Sequence, residues 1–395
     1  MRNRDRLFAA GRIVALATLG AVAPAGGAGA QTGPEAAAMQ ALVSKASSCV
    51  ARPRVVTVKP GQSIQAAIDR AEPGTVIGVA AGTYRGSLDL TRLRGTPDRP
   101  VILLSADGVG AAVIVGAPDK PAIGAWGLSD VGIYGFKVVS GTSAGDLGGF
   151  KIAGPWENPA RNVAIVGNVV TGVGTDGIKL FNGAGEIKVV GNLIDGDWRE
   201  EGMDNVSVEK SLFAFNTVRG SARYTSITMK AGSRDITLAG NEFDSRSGVG
   251  INVGGVGTSR FNRKFPDYWK GFEASAITVT GNVVGDGPER SVAFIGANRS
   301  VLKDNFLSGA VRSRRHEQPG QLLYPSHDNH ILGNTVAKEG FFQPDDGQDR
   351  GYVLAGNGTG ARKVRAGVAA LPGSAGAVCP ASPAEALARA FTSSE

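Results

Sequence analysis

Short runs of alternating apolar residues recur along the chain, and each ends in the same polar tag. Runs such as IKVV, ITLA and ITVT lead into Gly-Asn or a close variant, and an apolar residue or pair follows. The tags are GNVV at Asn168, GNLI at Asn192, FNTV at Asn216, GNEF at Asn241, GNVV at Asn282, DNFL at Asn305 and GNTV at Asn334. Alternation with period two marks strands. The gaps between tags are 24, 24, 25, 41, 23 and 29 residues. A period in the twenties with a strand before each tag is a solenoid signature, each coil burying its apolar side against the next. The pattern predicts an all-β solenoid of about ten coils.

Ahead of the tagged coils, residues 31–48 are Ala-rich and predict a short helix. Residues 55–86 (VVTVKPGQSIQAAIDRAEPGTVIGVAAGTYRG) predict a strand, a helix, a second strand and a turn. Ser63 is placed to cap the helix, whose Ile64, Ala67, Ile68 and Ala71 share one face. This run resembles the opening of pectate-lyase-like, right-handed parallel β-helix proteins. The resemblance implies a single right-handed parallel β-helix with an N-terminal capping helix covering the open edge of the first rung. The expected organisation is an export signal over 1–30, a helical lead-in over 31–54, the β-helix over 55–355, and a tail or cap over 356–395. In that tail Ser382 and Pro383 predict the start of a short helix.

Asparagine tolerates left-handed turns, and its amide bonds neighbouring backbone, so the seven tags predict a structural ladder at a spacing of ~4.8 Å. The ladder also supplies a register. Counting back from Asn192 and Asn241 puts Ile178, Leu180, Ile227 and Met229 inside, and Lys179, Phe181, Thr228 and Lys230 outside. The shorter coil between them is aligned by placing Val206 and Val208 inside. The expected outward columns are then Lys179–Ser207–Thr228–Asn252 and Phe181–Glu209–Lys230–Gly254, with Glu209 and Lys230 paired on neighbouring rungs. The one long gap marks an insertion, residues 254–275, carrying Arg260, Arg263, Lys264, Lys270, Phe261, Phe265, Tyr268 and Trp269. Solenoids often place insertions on the binding face, and aromatics with cations suit stacked sugar rings and carboxylates. Trp198 is expected in a second, acidic loop, residues 196–205, with Glu200, Glu201 and Asp204.

Composition narrows the compartment. Residues 1–30 combine a basic start (MRNRDR), an apolar stretch and a small-residue cleavage pattern near Ala30, which predicts export to the periplasm or beyond. The apolar stretch falls short of the ~20 residues that span a bilayer. The formal net charge of +7 suits an acidic partner. The two cysteines, Cys49 and Cys379, predict a disulfide in an oxidising compartment, which requires the tail to fold back along the barrel; two free thiols are the alternative.

The coil SITMKAGSRDITLAGN resembles the coil that carries the catalytic lysine in the alginate and chondroitin lyase group, and Lys230 matches that lysine. The resemblance implies β-elimination beside a uronate carboxylate, with Lys230 as base. The group's arginine on the next coil is replaced by Gly254, so Arg260 or Arg263 is the expected carboxylate neutraliser, and Tyr224 the expected acid. Where that group has acidic calcium ligands, this chain has Arg223, Tyr224, Thr225 and Ser226; no cofactor is expected, with calcium left as the alternative although no matching ligand set is seen. Residues 220–300 are also similar to a broad group of bacterial β-helix proteins with no established reaction. Lys179, Glu209, Asn252, Trp269, Asp176 and Asp204 are the expected substrate-binding residues. Asp176 and Asp204 on neighbouring coils also admit a hydrolase, although the Gly-His-Gly and Arg-Ile-Lys elements of polygalacturonases are absent. His327-Asp328 resembles part of a mannuronan epimerase element. His316, His327 and His330 are read as a solvated loop region without a metal. A non-catalytic glycan-binding or envelope scaffold is the reading of a different class. The expected partner is an acidic polysaccharide, with no nucleic acid and no membrane span, and the chain is expected to be a monomer.

Overall fold

The computed structural model describes residues 34–91, 93–141, 145, 147–255, 271–314, 325–344, 350–361 and 377–392. Among these, three parallel sheets of 13, 10 and 11 strands wrap around one core, and neighbours in each sheet come from successive coils. Strand Arg161–Val166, for example, pairs with Ser129–Tyr134 on one side and Lys188–Val190 on the other. The alternating apolar positions, such as Ile165, Val189, Phe213 and Leu238, fill the interior. The fold is the all-β, right-handed parallel β-helix that the sequence pattern and its resemblance imply. No helix among the described residues is long and apolar enough to cross a membrane.

The asparagine ladder runs the length of the tagged coils. Asn216 Oδ1 accepts from the Asn192 backbone N–H at 2.9 Å and from Asn192 Nδ2 at 3.0 Å. The same paired bonds join each tag to the next and extend to Asn357, a rung that lacks the apolar pair and so escapes the sequence pattern. All seven tagged asparagines are buried. Asn216→Ala removes acceptor and donor together and strands the buried Asn192 N–H, so it should destabilise the fold by about 2 kcal/mol or more in urea denaturation. A loss within experimental error would deny the ladder that role.

Asn241 bonds directly to Asn282 at 2.8 Å despite the 41-residue gap. The extra chain is therefore an excursion from a single coil. It leaves at Gly254–Gly255 and rejoins before strand Ala274–Thr280. Gly254 has φ +99°, and a Cβ there would overlap the Ile295 carbonyl oxygen. Only glycine fits at this exit, which is the physical reason no arginine stands at position 254.

The N-terminal helix Ile64–Ile68 is capped by Ser63, whose side chain accepts from the Ala66 N–H, and buries Ile64 and Ile68 against the first coil. A second helix, Pro34–Ser44, packs Met39, Leu42 and Val43 on the outside of the barrel wall. The C-terminal segment lies along that wall. Cys379 is disulfide-bonded to Cys49 across 330 residues of sequence. Tyr134 Oη donates to Val378 O at 2.8 Å, and the buried Lys188 Nζ donates to Pro380 O. Helix Ala384–Thr392 then seats Ala384 and Ala388 against the apolar cluster that holds Leu212 and Ala239. Burial lowers the Lys188 pKa to about 8.

Candidate functional site

The 10-stranded sheet carries the outward lysines. Its strands Asp176–Phe181, Glu201–Val206, Thr225–Lys230 and Val249–Gly254 stack on consecutive coils. The observed register sets Lys179 beside Asp204, Asp204 beside Thr228, and Thr228 beside Asn252. The next outward column is Phe181–Val206–Lys230. Two of the expected columns are therefore corrected in the middle coil. Asp204 replaces Ser207, and Val206 replaces Glu209. The cause is one residue of length: Asp204 lies twelve residues before its tag at Asn216, whereas Lys179 and Thr228 lie thirteen before theirs. Val206, taken as inward, packs outside against Ala231, Phe181 and Trp156.

Glu209 is not beside Lys230. The chain turns at Ser207 (φ +58°), and Glu209 opens a strand of the 13-stranded sheet. There it is buried and bridged by Arg161 and Arg234, each at 2.7 Å, which commits it to holding the wall. Gly254 pairs with Met229 through a register shift rather than with Lys230, and it is Gly255 that abuts the Lys230 stem. Trp198 is not in a loop. It ends strand Leu193–Trp198 and is 1% exposed in the core. Arg260, Arg263 and Trp269 lie outside the described residues, but the root of their insertion is thus placed next to Lys230.

The corrected register assembles a charge cluster. Asp204, 1% exposed, receives Lys179 Nζ at 2.9 Å on one oxygen and Lys230 Nζ at 2.9 Å on the other. Lys179 also reaches Asp176 at 3.2 Å, and Lys230 reaches Glu201 at 3.1 Å. The Glu201 backbone N–H donates to Asp176 Oδ1 at 3.1 Å. Asp176, Glu201 and Thr225 share a third column, because the chain repeats every 24–25 residues here. Glu201 is the member that the sequence reading left in a loop. Its place one period after Asp176 was the available signal.

Three carboxylates face two ammonium groups, so full ionisation leaves one negative charge in a buried site. Burial and the neighbouring Asp204 push the Asp176 carboxyl up to about 6. Burial and Asp204 likewise hold Glu201 well above the ordinary carboxylate range. Among the described residues no donor reaches the buried Glu201 Oε2. A single proton shared between Asp176 and Glu201 balances the cluster. Burial opposes the charge on Lys230, but Asp204 and Glu201 outweigh it, and its pKa ends above that of an ordinary lysine. Two carboxylates thus favour the charged form of Lys230.

Oxygen atoms of Asp176, Glu201 and Asp204 lie within 4.8 Å of one another, a donor set of the kind hard cations take. The same oxygens already hold two ammonium groups at 2.9–3.2 Å, which neutralise most of their charge. The residues present therefore fit lysine ammonium groups better than a divalent ion.

Around the cluster, Tyr224 is 49% exposed, with Arg223 over its ring at 5.3 Å, and it directly precedes Thr225, the strand partner of Glu201. Asn252 continues the Lys179 column at half-burial. His327 Nδ1 pairs with Asp328 at 2.8 Å beside the 13-stranded sheet, and the exposed His330 belongs to that sheet, so neither lies on the sheet that carries the cluster. His316 lies outside the described residues.

No protein-family model matches the chain, and no curated protein sequence does. Solved structures do match. The A-module of the Azotobacter vinelandii mannuronan C-5 epimerase AlgE6 aligns over 76% of this chain and 95% of its own, at 14% identity and a TM-score of 0.53. Pectate lyase Pel9A aligns over 78% and 82%, at 14% identity and a TM-score of 0.48. The polygalacturonase of Erwinia carotovora ssp. carotovora aligns over 79% and 95%, at 13% identity and a TM-score of 0.47. Likeness at these identities concerns the fold, which is that of the pectate-lyase-like parallel β-helices.

Proposed function

We propose that the protein is an exported, carbohydrate-active enzyme that cleaves an acidic, uronate-containing polysaccharide by β-elimination. The observation that carries the reading is the cluster itself: two lysine ammonium groups held at 2.9–3.2 Å by three carboxyls, beside the root of a cationic and aromatic insertion. The epimerase module that aligns with the chain is named for mannuronan, a uronate polymer, which agrees with that chemistry. Lys179 and Lys230, at 15% and 19% side-chain exposure, present cations to a substrate carboxylate. Neutralising that carboxylate acidifies the proton on the adjacent carbon. An ionised Asp176 or Glu201 takes the proton, the C–H electrons form the ring double bond, and the glycosidic C–O bond breaks. The leaving oxygen takes a proton from Tyr224, which is 49% exposed and precedes Thr225, the strand partner of Glu201. Asn252 lies beside Thr228 in the Lys179 column, and Arg260, Arg263 and Trp269 of the insertion are the further residues assigned to the substrate.

This assignment moves the base from Lys230 to the carboxylates. It sets a pH dependence. Activity, followed as absorbance of unsaturated uronate on alginate, pectate and glycosaminoglycans, should rise with pH through about 6 as Asp176 ionises. Asp176→Asn should abolish that limb. The same raised pKa contributes stability that is complete below ~3.9 and lost as pH rises through about 6. An unchanged pH profile in Asp176→Asn would remove Asp176 from the proton path.

The convergence of three carboxylates within 4.8 Å favours one other reading, glycoside hydrolysis by an acid and a nucleophile or base. Binding without any product across the panel would instead identify a glycan-binding scaffold.

A further inference from the structure

The face that carries the cluster continues over three coils toward the N-terminus, and its chemistry changes there from charged to aromatic. Trp126 ends strand Ile123–Trp126 and is 46% exposed. The strand outside it, Leu88–Asp89, pairs only as far as Gly124, and Thr91 Oγ1 beyond it accepts from the Trp126 backbone N–H at 3.2 Å, leaving the indole 46% exposed. On the other side the partner of Trp126 is Ala153, whose methyl lets the indole reach across to Phe181, with centroids 6.1 Å apart and planes at 64°. Lys151 Nζ stands 5.6 Å from the Phe181 centroid. Lys151 is also the strand partner of Lys179. Lys179 is held by Asp176 and Asp204, so Lys151 is the member of this pair that faces the aromatic rings.

We propose that Trp126, Phe181 and Lys151 form a sugar subsite on the same groove as the charge cluster, built for a ring with one apolar face and a carboxylate. The ring stacks on the open indole, and its carboxylate meets Lys151. Trp126 and Lys230 are four rungs apart, about 19 Å at the coil spacing. A monosaccharide cannot span that distance, so the ligand is an oligomer laid parallel to the solenoid axis. Phe181, Val206 and Lys230 form one continuous outward column between the two ends. Longer uronate chains therefore bind more tightly than short ones.

The inference rests on the proposal that the ligand is an acidic polysaccharide. It is tested by calorimetry on the full exported chain with di- and hexasaccharides from alginate and pectate, and with the methyl-esterified hexasaccharides. Trp126→Ala should lower the hexamer-to-dimer affinity ratio about tenfold, and Trp126→Phe should recover part of it. Lys151→Gln should weaken the acidic hexamer but not its ester. A wild-type ratio in Trp126→Ala overturns the subsite. Tight hexamer binding that depends on Trp126, with turnover that survives Lys230→Ala, keeps the subsite and overturns only the catalytic reading. If no hexamer binds the wild-type chain, both fall.

Discussion

Lys230→Ala should lower kcat/KM on the responsive polymer by about 100-fold or more while the solenoid remains folded. Lys230 abuts Gly255, where the insertion begins, and touches two carboxylates, Glu201 at 3.1 Å and Asp204 at 2.9 Å. Removing it leaves Lys179 alone against three acids, so the site repels a substrate carboxylate instead of accepting it. Lys230→Arg keeps the charge and should retain part of the activity, though its planar fork does not reproduce a compact ammonium. Initial rates of unsaturated-uronate formation, with circular dichroism to establish folding, measure both variants. Equal rates in wild type and Lys230→Ala would show that the cluster does not act on substrate.

Asp204→Ala should destabilise the fold by about 3–5 kcal/mol, the usual cost of removing one partner from a buried ion pair. Asp204 is the hub: each of its oxygens takes one lysine, and it is 1% exposed. Its loss leaves two ammonium groups close together in a largely buried site. The penalty belongs to two ammonium charges left with one carboxylate each, Asp176 for Lys179 and Glu201 for Lys230, so Lys179→Met added to Asp204→Ala should recover part of the stability. Urea denaturation of the single and double variants separates the contributions. A loss below ~0.5 kcal/mol in the single variant, as at an ordinary surface position, would contradict the burial of this network.

The fold was legible because period and alternation are physical constraints on every coil. Once the tags gave a ladder, the inward positions of Ile178, Leu180, Ile227 and Met229 followed. The site was less legible because it depends on one residue of register in the shortest coil. Val206 looks like a core residue by type, and treating it as one displaced Asp204 and brought Glu209 to the wrong sheet. The 24–25-residue spacing of Asp176, Glu201 and Thr225 held the correct alignment. No local motif could show that Lys230 is charge-locked, because its partners come from the preceding coil. The glycine at 254 was visible as a missing arginine, but its cause, the close approach of the Ile295 carbonyl, exists only in the fold.

The most direct measurement is mass analysis of the products after wild-type protein is incubated with each uronate polymer in D2O. The account predicts fragments whose masses sum to that of the parent chain, each new non-reducing end unsaturated and absorbing, with formation abolished in Lys230→Ala. Fragments that have gained the elements of water would establish hydrolysis. Deuterium in uncleaved chains would establish epimerisation, and unchanged polymer throughout would contradict a catalytic site.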